Sequence, residues 1–306
     1  MVWEKALDSI KAEIDKQRYY RWTESYQRFK ETFKIEAKQR APQYLSIDFW
    51  SQQRKELTDN GLYVIRFGMG NFIIFSEDEF PRPYTDLKTM NAEEMPTREV
   101  SSLPILRKAF SVINSDEKSA ENTLVELLTF YDVYASLVQL IDGSNRYYIG
   151  PRGGMTSSFD VYLQRKNTSL EKFRYRGQVE LDYTIWTENR AYIFEAKSSR
   201  RGGFDVGWHK LIYPAQRFSK LTEENGLKVS PVYFLRTRDG GTNVIYLFVF
   251  PPVKFARARR CLRSTCQSWE SRKRPSNQVL SLFSRTRLGE VKQRLIRILF
   301  IKDSCV

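Results

Sequence analysis

Val179-Glu180-Leu181-Asp182-Tyr183-Thr184-Ile185-Trp186, then Thr187-Glu188-Asn189-Arg190, then Ala191-Tyr192-Ile193-Phe194-Glu195-Ala196-Lys197 is the stretch on which the reading of this chain turns. Two apolar runs separated by four polar residues read as a β-hairpin. Side chains alternate along a strand, so Glu195 and Lys197 share a face, as do Glu180 and Asp182 on the preceding strand. Folded back, the hairpin brings Asp182 close to Glu195, with Lys197 about 7 Å further along. Two clustered carboxylates suit a hard divalent cation such as Mg²⁺. A neighbouring lysine can orient a water or steady the charge of a phosphoryl transition state. The competing reading is a pair of amphipathic strands whose charges face solvent. Against it, Val179, Leu181, Ile185, Ile193 and Phe194 mark a buried sheet, where unpaired charges are costly.

The arrangement resembles the catalytic core of the PD-(D/E)XK nuclease superfamily, with Asp182 as the first acid and Glu195-Ala196-Lys197 as the E-x-K element. Leu181 stands where a proline often precedes the first acid, a departure that many members share. The resemblance implies an α/β fold, a mixed central sheet flanked by helices in the restriction endonuclease manner. It also implies Mg²⁺ held by Asp182 and Glu195, with Lys197 positioning the attacking water. Members often take a further glutamate from a helix before the sheet. Residues 119–140 read as that helix, with Leu124, Leu128, Tyr131, Ala135 and Val138 at helical spacing. Glu121 on this stripe is the candidate third ligand, or else it complements the helix dipole. Glu126, on the Phe130, Val133 and Leu137 face, is the alternative. After the site, Lys210-Leu211-Ile212-Tyr213-Pro214 is similar to a Gln-Leu-x-Tyr-Pro element of some members, with lysine replacing glutamine. Lys210 is therefore expected to contact phosphate. Val232 to Leu235 and Val244 to Phe250, joined across Asp239-Gly240-Gly241, read as two more strands. The resemblance spans roughly residues 119–250.

Other chemistries are set aside. His209 is the only histidine, which removes two-histidine metal sites; it reads as a structural or phosphate-facing side chain. Tyr147-Tyr148-Ile149-Gly150 is half of a GIY-YIG signature without its other half. No Gly-x-x-x-x-Gly-Lys-Ser/Thr loop occurs, which argues against ATP hydrolysis. A chain of 306 residues can bury one large core or two modest ones. There is no apolar run of membrane-spanning length and no signal-peptide pattern at the start. Cys261, Cys266 and Cys305 form neither a disulfide framework nor a zinc spacing. The expected setting is a reducing cytoplasm, away from membranes.

The net charge of +14 is unevenly spread. From Lys254 onward 14 basic residues face three acids, which leaves only +3 for the first 253 residues. The tail reads either as a basic arm for phosphates or as an end altered by a shifted reading frame. The more local signal lies nearer the acids. Arg165 and Lys166, and then Lys172, Arg174 and Arg176 interleaved with Phe173 and Tyr175, form a basic, aromatic-rich connection before the Asp182 strand. Arg152 and the Arg200-Arg201 pair are further cationic turns. Such charges position a polyanion without reading its sequence.

Trp3, Leu7, Ile10 and Ile14, then Trp22, Tyr26, Phe29 and Phe33, give two helical stripes that read as a packed hairpin of helices. Residues 46–57 read as a third helix. Leu62 to Phe67, the turn Gly68-Met69-Gly70-Asn71, and Phe72 to Phe75 follow as a hairpin. The outline is that of a winged helix, a duplex-docking unit, or of an ordinary α+β fragment. Pro81 to Pro104 reads as a linker. The expected division is residues 1–100 for a helical, winged-helix-like recognition region, 101–253 for the nuclease core, and 254–306 for the basic tail. By resemblance the chain is a type II restriction endonuclease that cuts double-stranded DNA as a homodimer beside a protective methyltransferase. The alternatives are a structure-specific repair, recombination or mobile-element nuclease, and a catalytically inactive DNA-binding protein.

Overall fold

The computed structural model describes residues 2–45, 47, 49, 52–88, 92–94, 98–101, 125, 128–129, 132–166, 169–198, 204–218, 222, 224–239, 242–253, 256–257, 278–281 and 293–301. Leu7–Gln17 (α1) buries Ile10 and Ile14, as the spacing predicts. It stops where Arg18 turns left-handed at φ 73 while its N–H still reaches the Ile14 carbonyl. The chain then runs straight into Tyr19–Trp22 (β1). The expected pair of adjoining helices is therefore a helix–strand–helix, and Trp22 lies on the strand. Tyr26–Thr32 (α2) starts where Ser25 Oγ accepts from the Arg28 N–H at 3.2 Å, an ordinary N-cap. Pro42–Leu45 (α3) and Lys55–Thr58 (α4) are single turns. The helix expected over 46–57 is cut back to α4: among the described residues 47, 49, 53 and 54 lie outside any helix, and 55–57 are helical.

Leu62–Arg66 (β2) and Phe72–Ser76 (β3) form the expected hairpin, and β1 joins it to give the order β1-β3-β2. Both faces are covered. Leu62, Val64, Phe72 and Ile74 pack on Trp3, Ile10, Tyr26 and Phe29. Tyr63, Ile65, Ile73 and Phe75 pack toward Val161, Phe173 and Tyr175. The hairpin is thus interior and does not project as a wing.

The expected linker contains three short strands, Tyr84–Asp86 (β4), Ala92–Glu94 (β5) and Arg98–Ser101 (β6). Strands of three or four residues are too short for periodicity to reveal. Next come Val133–Asp142 (α5), Tyr148–Ile149 (β7), Gly153–Gln164 (β8), Leu170–Leu181 (β9), Tyr183–Trp186 (β10) and Arg190–Ser198 (β11). Asp205–Gly207 (β12), Trp208–Gln216 (α6), Lys228–Asp239 (β13), Thr242–Val249 (β14), Ala256–Arg257 (β15), Gln278–Ser281 (β16) and Gln293–Ile301 (β17) complete the order. The helix expected over 119–140 is not continuous. Residues 125, 128 and 129 are helical, but Asp132 sits at φ 52, far from the helical value, and α5 restarts after it.

The chain is mixed α/β. Its main sheet runs β5-β17-β14-β13-β11-β10-β7, with β6 also paired to β17. Within it β10 and β11 are antiparallel, while β11 and β13 are parallel and joined through α6. Alternation along the strands splits the core. Tyr183, Ile185, Tyr192, Phe194, Val232 and Phe234 pack under α5. Tyr233 and Leu235, with Leu211, pack on the α6 side, as do Ala191, Ile193 and Val229 with Ala215. Among the described residues no helix is long and apolar enough to cross a membrane.

A separate sheet holds β8 and β9, paired along twelve residues each. The loop at the tip of the β2–β3 hairpin docks on this ribbon. Arg176 N–H donates to the Phe67 carbonyl at 3.0 Å. Gly68, at φ 85, lies so close that an added Cβ would fall 1.7 Å from the Arg176 carbonyl oxygen. A side chain there meets backbone that cannot move aside. Gly68→Ala is expected to cost about 3 kcal/mol from the positive φ and the overlap together. That corresponds to a melting point about 6–12 °C lower, read by thermal unfolding. A loss under about 2 °C would mean that the tip does not seat on the ribbon.

Candidate functional site

The site is made where the chain passes from one sheet to the other. Leu181 ends β9 opposite Gly153, Asp182 forms a bend, and Tyr183 begins β10 opposite Phe194. The expected single strand over 179–186 is therefore two strands hinged at Asp182. One further step of the β10–β11 register sets Asp182 across from Glu195. At the bend the Asp182 side chain takes over a ladder role: its Oδ2 accepts from the Ala196 N–H at 2.8 Å. The turn below closes as the sequence predicts, with Thr187 N–H donating to the Arg190 carbonyl at 2.8 Å. Asp142 at the end of α5 braces it, accepting from the Thr187 and Tyr192 hydroxyls, each at 3.1 Å.

Glu195 sits on β11, a central strand, and is only 8 % exposed. Its Oε1 is 3.1 Å from Lys197 Nζ, two residues on along the same face, and 3.9 Å from Lys210 Nζ on α6. The structure thus brings together Asp182, Glu195, Lys197 and Lys210. Burial, the largest influence, pushes the Glu195 carboxyl above its ordinary value against the opposing pull of Lys197 and Lys210; the Asp182 charge adds to the rise. A buried acid whose two lysines do not offset its desolvation favours a further positive charge nearby. Mg²⁺ is commonly bound by one or two carboxylates, with waters and substrate phosphate completing the shell. Asp182 and Glu195 fit that donor set. Among the described residues no group of three or more His, Cys, Asp or Glu side chains converges. Glu121 and Glu126 lie outside the described residues.

The cations expected to meet DNA divide into groups. Lys172 and Arg174 share Asp160, each at 2.8 Å. Arg165 is ion-paired with Glu171 and lies over the Phe80 ring, so it braces the fold. Arg152 is exposed beside Gly153, next to the Asp182 bend, and Lys166 is exposed further off. Arg176 is exposed on β9. Arg200 and Arg201 lie outside the described residues. The basic connection proves to be a regular ribbon, with Lys172, Arg174 and Arg176 on one face and Phe173 and Tyr175 on the other. His209 is buried on α6, near Tyr213.

Two features were not expected from the sequence. Arg217, just past α6, donates from Nη1 to the Gly153 carbonyl at 3.3 Å and so lies near the Asp182 bend; burial lowers its pKa. The second is a cavity of about 270 Å³ lined by Arg21, Trp22, Asn71, Phe173, Arg174 and Arg176, among others. It is assembled from three distant segments, which no local pattern announces.

Residues 82–259 match a family described as a domain of unknown function, DUF6997. The match spans more than half of the chain, which belongs to that family. No curated protein and no solved structure matches. The matched region contains Asp182, Glu195, Lys197 and Lys210, while the N-terminal sheet precedes it.

Proposed function

We propose that this chain is a Mg²⁺-dependent endonuclease that hydrolyses phosphodiester bonds of double-stranded DNA, a type II restriction endonuclease in kind. The observation that carries the reading is the meeting of Asp182, Glu195, Lys197 and Lys210 at one edge of a β10–β11–α6–β13 unit. A bend delivers one acid, a buried strand the other, and the crossover helix a second lysine. The resemblance to PD-(D/E)XK nucleases, which implies two acids, a lysine and a following helix with a polar residue near the phosphate, supports the reading.

In this reading Asp182 and Glu195 would hold the cation, which on binding would supply Lewis acidity toward the scissile phosphate and a more acidic water. Lys197 would donate to the attacking water and hold its oxygen in line with phosphorus. Lys210, reaching in from α6, would donate to a non-bridging oxygen and favour the charge that builds there. The exposed cations Arg152 and Arg176 would keep the duplex backbone against this edge.

The test is cleavage of unmethylated phage and plasmid DNA with Mg²⁺ or with EDTA. Discrete fragments with Mg²⁺ and none with EDTA are expected. Preference for branched over linear duplex would instead favour a structure-specific nuclease. Binding without cutting under every metal condition would overturn the enzymatic reading.

A further inference from the structure

The cavity between the N-terminal sheet and the β8–β9 ribbon has a chemistry of its own. Its aromatic lining comes from Trp22 on β1, Phe67 and Phe72 at the hairpin tip, and Phe173 on β9. Arg21, Arg174 and Arg176 edge it. Arg174 is committed to Asp160 and to Ser158 Oγ at 3.0 Å. Arg21 and Arg176 are exposed and have no ion pair among the described residues. Asn71 lines the same cavity, but its side-chain oxygen is closed off from solvent. Two guanidinium groups with no ion pair among the described residues, beside the partly exposed Trp22, are complementary to an anion that carries a flat ring. An apolar cavity of about 150 Å³ accepts benzene, so about 270 Å³ has room for one nucleobase.

We propose that this cavity binds a single nucleotide. The base lies against Trp22, the aromatic side chain of the lining that is not buried. Its phosphate bridges Arg21 and Arg176. The nucleotide is either a free mononucleotide or one swung out of a duplex. The second source rests on the endonuclease reading: Arg176 and Asp182 lie six residues apart on one continuous run of chain, about 20 Å, within the reach of one duplex.

The experiment is calorimetric titration in EDTA of the full chain carrying Asp182→Asn, so that cleavage plays no part. The titrants are dAMP, deoxyadenosine and inorganic phosphate. Binding of dAMP is expected to be at least about tenfold tighter than that of the other two. Arg21→Ala with Arg176→Ala is expected to weaken dAMP by a further tenfold or more. Both arginines are exposed, so the variant should fold, and Arg176→Lys restoring part of the affinity would confirm a charge role. Equal affinity for all three titrants, or no change in the double variant, overturns the proposal. A duplex with 2-aminopurine separates the sources: a rise in its emission, lost in the double variant while duplex binding persists, assigns the cavity to an extruded base. A flat signal with dAMP binding intact assigns it to the free nucleotide. Failure of wild-type protein to cut DNA bears on the Asp182 site and leaves this titration unaffected.

Discussion

Asp182→Asn is expected to lower Mg²⁺-dependent cleavage of duplex DNA by about 10³-fold or more, with the melting point held within about 1 °C. The geometry makes this substitution more telling than alanine. Asp182 does two things at once: it accepts the Ala196 N–H at 2.8 Å, and it places a negative charge beside Glu195. An asparagine carbonyl can keep the hydrogen bond, so only the charge is removed. Asp182→Ala removes both. Ala196 is fully buried, and its N–H is left without that acceptor, at a cost of about 1 kcal/mol and about 2–4 °C in melting point. The two variants should therefore be equally inactive and unequally stable. Plasmid cleavage and thermal unfolding on the same preparations check it. An asparagine variant that cuts at the wild-type rate would reduce Asp182 to a structural cap for β11, and the nuclease reading would fail with it.

The hairpin that carries this site was legible because its signals are local. Thr187 to Arg190 is a polar turn between apolar runs, and Glu195 and Lys197 sit two apart on one strand, so their common face follows from the pleat. The bend at Asp182 was not legible. Leu181 and Tyr183 both fit a strand, and only the change of partner, from Gly153 on β8 to Phe194 on β11, divides them. The ribbon is a different case. Residues 172–177 alternate Lys, Phe, Arg, Tyr, Arg, Gly, a strict period of two that marks a strand. Composition drew attention to charge there, where periodicity would have given structure. Trp22 shows the reverse error: four-residue spacing to Tyr26 suggests a helix, but the left-handed Arg18 before it turns the chain into β1. A pairing made across the chain, such as Arg217 with Gly153, has no local signature, because topology creates it; in the sequence, Lys210 is placed at the site by the resemblance of residues 210–214 alone.

Glu195→Gln is expected to raise stability while it abolishes function. Glu195 is 8 % exposed, and burial is the main reason its carboxyl lies above the ordinary value; Lys197 and Lys210 oppose the rise. The sign follows from proton binding. Between the unfolded carboxyl's pKa and the higher folded one, the folded chain holds more protons, so stability falls as pH climbs through that window and levels off above it. In EDTA the wild-type protein should lose melting temperature over that range. The glutamine variant should lack this component and melt higher at neutral pH, by about 2 °C or more. Mg²⁺ should reverse the order. A cation that binds only the folded state stabilises by about 2.7 kcal/mol at a hundred times its dissociation constant, and that gain should appear in the wild-type protein and vanish in the variant. Thermal unfolding across pH, with and without Mg²⁺, reads both effects. A variant that is less stable at every pH, or that gains as much from Mg²⁺ as the parent, would make Glu195 a structural partner of its two lysines. A gain in stability paired with a loss of metal response is the signature of a buried acid kept for chemistry, since packing alone favours the neutral side chain.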